Sequence, residues 1–415
     1  MQKFLRPVDQ NLQNNINRSI IYNYIREHDT VSRVMISKNL KISGSSVTRL
    51  ISDLLKGGYI VETEKVITSV GKRPILLQIN TKDHCVLSVD LSQERLKISV
   101  NDFSGNIISK FHSFKVADDP KIIGKLIAEI KKVISIGGKN KKSIKYKNYD
   151  LKAISIGLPA DVDKKTSEII SGSLYKSWYK INFKKELERE FKLPVFVEKD
   201  VILSVFAEKI LGRGKDYKEI IFIEISSGVG SGMIVDNNIM RGMNNSSGQI
   251  GYMITGDGSC EYDDTGKGSI DNVASFQSIR DDFVKKFKSG SYSTIKEIVG
   301  EDISRIDIPL IFQEAYKNDK LACEIISEKA HIISKVLANM ILVLNPEIII
   351  LGGNIADVLY VEELFIPKIN ENIKKLIPFK LPEIKLSQLK EDVVLIGGAL
   401  FSVNNVLDGV FPYKI

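Results

Sequence analysis

The sequence predicts an α/β protein in which an N-terminal winged helix–turn–helix domain precedes a larger body with two similar lobes. Near the N-terminus, an amphipathic helix follows a short helix and a tight turn, and two strand-like segments come behind it. From residue 81 onward, strand-like and helical segments alternate, as expected for an α/β domain.

The segment after Ser43 has the pattern of an amphipathic helix with defined ends. Ser43 is placed to accept a hydrogen bond from a free amide at the helix start, and the Gly-Gly pair at 57–58 predicts the helix end. A shorter helix over 33–39, capped by Ser32, and a tight turn at 41–42 precede it. The second helix therefore takes the recognition position of a helix–turn–helix. Its apolar residues recur at the spacing of one helix face: Val47, Leu50, Ile51 and Leu54.

Behind this helix the chain reads as a strand, a loop and a returning strand. The strands are predicted at 59–61 and 75–79, and the loop between them ends in Gly-Lys-Arg-Pro at 71–74. Glycine permits a backbone geometry that is closed to other residues, and proline fixes the exit of the loop. The loop is therefore expected to be a wing that presents a lysine and an arginine at a stiff tip.

These features indicate binding to a double-stranded DNA operator. Arg49 is expected to reach guanine in the major groove, and Arg73 to enter a narrow A·T-rich minor groove. Residues 1–80 carry twelve Lys or Arg against six Asp or Glu, which is +6 of the formal net charge of +8. The alternative is a small helical subdomain with serines on its solvated side. The residues expected to contact DNA are Ser45, Ser46, Thr48, Arg49, Ser52, Gly71, Lys72 and Arg73.

Composition argues against a membrane or exported protein. No run of 18 apolar residues occurs, and the N-terminus has no apolar signal region. The three cysteines, Cys85, Cys260 and Cys323, are odd in number and widely spaced, which indicates free thiols in a reducing compartment. We therefore expect a cytoplasmic protein without membrane contact.

The body is expected to contain two related strand–turn–strand units, which supports two similar lobes. One begins at 86–90 and the other at 220–225. The lysine-rich segment at 137–148 is expected to be a surface loop. The last third is expected to be mostly helical. Further strands are expected at 96–100, 106–109, 153–157 and 195–198, and helices at 121–136 and 183–191 and after Asp200.

An ordered set of motifs resembles the ROK family of repressors and kinases, in its repressor branch, over nearly the whole chain. The resemblance implies an actin-like, two-lobed sugar-kinase fold with a ligand cleft between the lobes, and a homodimer or tetramer. Besides the winged helix, the motifs are IGLPADVD at 156–163, LPVFVEKD at 193–200, GVGSG at 228–232, RG and SGQIGY within 241–252, and NP and LGG within 345–353.

The resemblance also implies that catalysis has been lost. It places the general base of the kinases at Asp200, but Lys199 replaces an asparagine that binds the sugar. In the first phosphate loop, Asp90-Leu-Ser-Gln-Glu94 replaces a glycine-rich sequence, and Glu94 is expected to bring a negative charge towards the phosphate. We therefore expect Asp200 to be only a remnant of the base and no residue to be catalytic. The remnants of the phosphate loops are Asp90, Gly228, Gly230, Gly232, Gly352 and Gly353.

The positions that contact sugar and zinc in the family are altered as well. Gln249 and Tyr252 stand where the family has glutamate and histidine, and Asp271 replaces a later glutamate. Of the cysteines that bind zinc in the family only Cys260 remains, so neither a metal nor a cofactor is expected. Lys199 is expected to pair with Asp200 or to accept an acidic ligand. An alternative is drift in a cleft that binds nothing. The expected effector site is Lys199, Asp200, Gln249, Tyr252 and Asp271.

The sequence thus predicts a DNA-binding transcription regulator, a repressor of carbohydrate-metabolism genes controlled by a sugar-like effector. The alternatives are a carbohydrate kinase with an accessory DNA-binding domain and a constitutive repressor with a non-functional cleft. The expected domains are the winged helix–turn–helix at 1–80, a first lobe at 81–200 completed by 391–415, and a second lobe at 201–390.

Overall fold

The N-terminal part of the computed structural model contains three helices and a three-stranded antiparallel sheet. The structure describes residues 10–63, 75–92, 94–137, 143–172, 175–256 and 267–407. Strand β3 pairs with both β1 and β2. These elements are α1 (Gln10–Glu27), β1 (Val31–Ser32), α2 (Arg33–Leu40), α3 (Gly44–Lys56), β2 (Ile60–Thr63) and β3 (Leu76–Ile79).

Helices α2 and α3 lie where the sequence predicts them, because local hydrogen bonds define their starts. The Ser43 hydroxyl accepts a hydrogen bond from Ser46 N at 3.3 Å, and the Ser32 hydroxyl accepts one from Met35 N at 3.3 Å. The returning strand is also confirmed, since β2 and β3 pair in register. The predicted wing residues Gly71, Lys72 and Arg73 lie outside the described residues. The four apolar residues predicted to face the core of α3 are all buried: Val47, Leu50, Ile51 and Leu54.

A seven-stranded mixed sheet follows, with β4 and β9 parallel at its centre. Strand β12 pairs in parallel with β9, while β10 and β11 form a separate antiparallel pair. The elements of this first part of the body are β4 (His84–Asp90), β5 (Arg95–Asp102), β6 (Ile107–Lys115), α4 (Ile122–Val133), β7 (Ser135–Gly137), β8 (Ser143–Tyr146), β9 (Tyr149–Leu158), β10 (Asp161–Val162), β11 (Ile169–Ser171), α5 (Phe183–Phe191) and β12 (Val195–Lys199).

A second, five-stranded sheet is built around β13, which pairs antiparallel with β14 and in parallel with β16. The last third is mostly helical, as predicted. No helix in the described part of the chain is both long and apolar enough to cross a membrane. The elements of this second part of the body are α6 (Asp200–Ile210), β13 (Ile220–Ile225), β14 (Val229–Val235), β15 (Asn238–Ile239), α7 (Ser269–Ala274), α8 (Phe276–Lys288), α9 (Ile295–Val299), α10 (Ile308–Tyr316), α11 (Lys320–Leu344), β16 (Ile348–Gly352), α12 (Val361–Leu364), α13 (Ile366–Lys374), β17 (Glu383–Leu386) and α14 (Val393–Val406).

Helices α6 and α14 pack against each other and connect the two sheets. Helix α14 contacts β4 and β9 of the first sheet, and α6 contacts β13 and β14 of the second. The two helices approach closely because residue 397 is glycine: a Cβ atom there would lie 2.1 Å from Leu203 O. The C-terminal helix therefore packs on the first sheet.

Helix α1 packs against the body through a shared buried core. Ile21, Tyr22 and Ile25 of α1 belong to one apolar cluster with Phe103 and with Val403 of α14. The Tyr22 hydroxyl donates a hydrogen bond to Phe103 O at 2.9 Å. The N-terminal part is therefore docked on the body by apolar and polar contacts together.

Three stretches differ from the sequence predictions. Helix α1 was not predicted, and α4 ends at Val133 rather than at 136. The lysine-rich segment predicted as a loop contains strand β8 and the last residue of β7, which pair with each other and extend the first sheet from β9. In β8, Ile144 and Tyr146 are buried, so an alternating strand pattern is present despite the lysines.

Candidate functional site

An open cleft lies where strands from both sheets end, and its lining comes from both sides. The space inside it, including the part open to solvent, is about 680 Å³. Strand β12 and the start of α6 supply two of its residues, and segments after β14 supply three more. All five residues predicted for the effector site line this cleft: Lys199, Asp200, Gln249, Tyr252 and Asp271.

Lys199 pairs with Asp161 and not with Asp200 as predicted. Its Nζ lies 2.8 Å from Asp161 Oδ1, and both side chains are buried. The other oxygen of Asp161 accepts hydrogen bonds from Ser171 Oγ at 2.6 Å and Gln249 Nε2 at 2.8 Å. Burial alone would raise the pKa of Asp161, but the charge of Lys199 and the hydrogen bonds lower it. Since Gln249 follows β14 and Asp161 follows β9, this network joins the two walls of the cleft.

Three buried acidic side chains from different elements, Asp90, Asp200 and Glu224, have raised pKa values at or behind the lining of the cleft. Burial raises the pKa of Asp200 well above its usual range, and the charge of Glu224 adds to this. Burial and the charge of Asp90 raise the pKa of Glu224 to about 7. Burial also raises the pKa of Asp90, although Ser92 donates two hydrogen bonds to its Oδ1. Glu224 Oε2 and Asp90 Oδ2 are buried and accept no hydrogen bond from any residue that the structure describes.

Asp271 lines the cleft, but backbone amides already engage both of its carboxylate oxygens. Val229 N donates to Oδ1 at 2.7 Å and Gly268 N donates to Oδ2 at 2.8 Å. Gly251 passes so close that a Cβ atom there would lie 2.4 Å from Oδ1. The carboxylate therefore fastens the start of α7 to the glycine turn between β13 and β14. These contacts give Asp271 a bracing role.

The remnants of the phosphate loops occupy different places. Gly228 and Gly230 line the cleft. Gly232 packs against the backbone of α6, where a Cβ atom would lie 2.1 Å from a carbonyl oxygen. Gly352 and Gly353 lie against β13, outside the lining of the cleft, and Gly353 has a positive φ of 77°. Only the first two glycines therefore remain where a ligand can approach their backbone.

Glu94 does not bring its charge towards the cleft, contrary to the sequence prediction. Its carboxylate lies 3.0 Å from Lys115 Nζ, and both side chains are mostly exposed. Ser92 lines the cleft instead, and Asp90 is buried behind it. The acidic group of this loop nearest the cleft is therefore Asp90.

The predicted loss of the zinc site cannot be placed on the structure, because Cys260 lies outside the described residues. Among the residues that are described, no group of three or more His, Cys, Asp or Glu side chains could hold a metal ion. Cys85 and Cys323 are free thiols, the first of them buried. The absence of zinc stays a prediction.

The predicted DNA-contacting residues of α3 lie opposite its buried face. Thr48 Oγ1 donates to Gly44 O at 2.8 Å, a bond within the helix. The Arg49 guanidinium donates to Asn14 Oδ1 of α1, so α1 holds this side chain on the helix surface. The exposed members are Ser45, Thr48 and Arg49, and the partly buried ones are Ser46 and Ser52.

Two residues beside the cleft were not expected from the sequence. Glu224 is the charged residue in the otherwise apolar strand Ile220–Ile225, and a buried charge in such a strand is a recognisable signal. Asp161 lies inside the motif at 156–163, but its partner Lys199 comes from another strand. That pairing depends on the fold, so no local spacing indicates it.

Comparison with known proteins places this architecture among repressors and kinases. A family model described as the ROK family matches residues 86–404. The xylose repressor of Caldicellulosiruptor bescii is 25% identical over 404 residues, covering 96% of this chain and 97% of that protein. The N-acetylglucosamine repressor of Escherichia coli O157:H7 is 24% identical over 352 residues, covering 82% and 81% respectively.

Solved structures have the same fold at low sequence identity. A ROK family transcriptional regulator, a homologue of the E. coli MLC protein, matches with a TM-score of 0.77 at 24% identity, covering 96% of this chain and 98% of that one. A ROK family glucokinase from Streptomyces griseus, in complex with glucose and AMPPNP, matches with a TM-score of 0.62 at 22% identity. The glucokinase match covers 76% of this chain and 98% of the glucokinase.

Proposed function

Because the chain belongs to the ROK family, we propose that it is a DNA-binding repressor of carbohydrate-metabolism genes, controlled by a sugar or sugar derivative in the cleft. One observation carries this proposal: a helix with an exposed polar face, α3, belongs to an N-terminal part that is docked on a body with a sugar-kinase-like cleft. The names of the xylose and N-acetylglucosamine repressors support the same reading.

The proposed DNA-binding domain is a winged helix–turn–helix over residues 1–80. Helix α3 is the recognition helix, and its polar residues from Ser45 to Ser52 contact base edges and phosphates. Residues 71–73, which lie outside the described residues, are proposed as the wing, with Arg73 entering the minor groove. In a homodimer or tetramer, two such domains meet two half-sites of one operator.

The proposed effector site is the cleft, and the effector acts by changing how the two walls are arranged. The hydrogen bond from Gln249 to Asp161 joins the walls in the present structure. A ligand changes operator affinity only if it binds two arrangements of the lobes with different affinity. Lys199, Asp200, Gln249 and Tyr252 supply the polar contacts, and Asp271 holds the glycine turn in place. The first lobe is 81–200 with 391–415, and the second is 201–390.

A carbohydrate kinase with an accessory DNA-binding domain is the second candidate, since Asp200 is retained in the cleft and a glucokinase shares the fold. The altered first phosphate loop argues against it, because no glycine lies between Asp90 and Glu94 to let a phosphate approach the backbone. An ATP-consumption assay over a sugar panel separates the two. We expect no turnover above the protein-free background. Turnover that disappears in Asp200→Asn would favour the kinase.

The direct test is to capture genomic DNA with the purified full-length protein and to sequence the retained fragments. We expect a small set of palindromic sites near genes of carbohydrate metabolism. Binding to one such site is then measured at a fixed salt concentration, because phosphate contacts depend strongly on salt. Retention without sequence preference would contradict the proposal. Specific retention that no sugar alters would favour the constitutive repressor with a non-functional cleft.

A further inference from the structure

The cleft presents more acidic than basic side chains to a ligand. Three carboxylates and two lysines line it. Of the lysines, Lys199 is neutralised by Asp161 at 2.8 Å. Behind the lining, the buried Asp90 adds a further carboxylate, which is hydrogen-bonded to Ser92 of the cleft wall. An anionic ligand would therefore meet more acidic than basic side chains in this cleft.

Two backbone amides that would suit a phosphate are already used by carboxylates of the chain. Val201 N, at the start of the 11-residue helix α6, donates to Asp200 Oδ1 at 2.7 Å. Val229 N, in the glycine turn, donates to Asp271 Oδ1 at 2.7 Å. Helix starts and glycine turns bind phosphate through such amides. A phosphate would have to displace a carboxylate from each.

The same region offers unused acceptors for hydroxyl groups. Glu224 is 93% buried, since only 7% of its surface is exposed, and its Oε2 accepts no hydrogen bond from any described residue. Asp200 also lines the cleft, and its Oδ1 accepts a hydrogen bond from Val201 N. A buried acceptor without a donor is costly, and a ligand hydroxyl that donates to it removes the cost. A phosphate dianion brings acceptors only and cannot do so.

We propose that the cleft binds an uncharged, hydroxyl-rich sugar and discriminates against the phosphate ester of that sugar and against nucleotides. This inference rests on the proposed function and specifies the chemical class of the effector. Glu224 is the specificity-determining residue, because its carboxyl group accepts from a sugar hydroxyl and repels a phosphate. The pair of Lys199 and Asp161 contributes by leaving no net positive charge at that wall.

The test uses matched pairs of a free sugar and its phosphate ester with the full-length protein. The pairs are xylose and xylose 5-phosphate, glucose and glucose 6-phosphate, and N-acetylglucosamine and its 6-phosphate, with Mg-ATP as a further probe. Thermal shift and calorimetry are run at one salt concentration and at pH 8, where Glu224, with a pKa of about 7, is mostly ionised. We expect at least one free sugar to bind, at least about tenfold more tightly than its ester, and Mg-ATP not to bind.

A matched pair of variants locates the discrimination. Glu224→Gln removes a buried charge beside the cleft, and we expect it to reduce the ester-to-sugar ratio of Kd several-fold. Glu94→Gln removes an exposed carboxylate that pairs with Lys115 outside the cleft, and the ratio should stay unchanged. An equal effect of both variants would show that Glu224 is not the discriminating group.

The outcomes separate this inference from the proposed function. An ester that binds as tightly as its free sugar, or more tightly, would overturn the inference and leave a sugar-controlled repressor in place. Failure of every compound to bind, with operator binding intact, would overturn both the inference and effector control. Binding of a free sugar by a protein that retains no specific DNA would support the inference and overturn the repressor.

Discussion

Asp271 holds three segments together with one carboxylate. It accepts hydrogen bonds from Val229 and Gly268, and Gly251 packs directly against it. Hydrogen bonds to a charged acceptor contribute about 1.5–3 kcal/mol each. The Asp271 carboxylate therefore braces the start of α7 against the glycine turn between β13 and β14.

Replacing this brace should therefore destabilise the protein. We expect Asp271→Ala to lower the free energy of unfolding by about 2–4 kcal/mol, because two buried amides lose their acceptor. Urea denaturation followed by circular dichroism measures the loss. Asp281→Ala is the control, since Asp281 lies on α8 with 61% of its side chain exposed; it should stay within about 0.5 kcal/mol of the wild type. Equal losses in the two variants would contradict the bracing role.

Glu224 should make stability depend on pH between about 5 and 7. The group titrates near 4.5 when unfolded and at about 7 in the fold, because burial and the charge of Asp90 raise its pKa. Over that interval the folded state binds more protons than the unfolded state, so stability falls as pH rises. Asp200 and Lys199 also act on it from α6 and β12, and both residues are unchanged in the two proteins that the experiment compares.

We expect Glu224→Gln to remove this part of the pH dependence. The variant should gain about 1–3 kcal/mol in stability relative to the wild type at pH 8, and much less at pH 5. Thermal unfolding of both proteins across this pH range measures the difference. A constant difference between the two proteins at every pH would mean that Glu224 is ionised throughout.

The cleft shows which site properties follow from sequence and which require the fold. The five residues predicted for the effector site all line one cleft, and their binding of an effector stays a prediction. Their pairing was wrong for Lys199, because its partner Asp161 comes from a segment that follows a different strand. The charge of Glu94 was misplaced for a similar reason, since only the pairing of β5 with β6 brings Lys115 to it. The sequence pointed to the residues that line the cleft, but not to the partners that their side chains contact.

At the level of elements, α3 could be predicted from its own sequence, whereas α1 depends on packing partners far away in the chain. Helix α3 has caps and an apolar stripe that lie within its own sequence, so both could be read directly. Helix α1 has no such signal, because buried polar residues such as Ser19 and Arg26 interrupt its apolar face. That face is completed by α14, nearly 400 residues later, which no local pattern can reveal.

The polar face of α3 leads to a prediction about Arg49. We expect Arg49→Ala to weaken operator binding by about 1–3 kcal/mol and to relax the preference at one base pair. Binding is measured with a set of operators that differ at single positions, at one salt concentration. An equal loss on all sequences would make Arg49 a phosphate contact.

Two further variants separate base reading from a structural role. Asn14→Ala removes the α1 partner of Arg49 and frees its guanidinium, so operator affinity should hold or increase. Lys56→Ala removes an exposed charge at the end of the same helix and should weaken all DNA slightly and alike. If Asn14→Ala weakens the operator as much as Arg49→Ala, then Arg49 serves to hold α1 in place.

Across the whole molecule, a continuous set of packed elements connects the cleft with α3. Asp200 at the cleft begins α6, α6 packs on α14, and Val403 of α14 shares a buried core with Tyr22 of α1. Arg18 Nη1 also donates to Leu407 O at 3.2 Å, at the end of α14. Because packed helices shift as units rather than deform continuously, a rearrangement of the cleft is expected to reach α1.

This connection predicts that loosening α14 beneath α1 weakens effector control without touching the cleft. Val403→Ala and Val336→Ala each remove two methyl groups from a buried site, the second within α11 and remote from α1. Both should lower the free energy of unfolding by about 2 kcal/mol. Only Val403→Ala should speed hydrogen exchange in α1. It should also reduce, several-fold, the change in operator affinity that the bound sugar causes, because the two sites are coupled through the arrangement of α14. If the two variants keep the same sugar response and the same exchange in α1, then α14 does not transmit the signal.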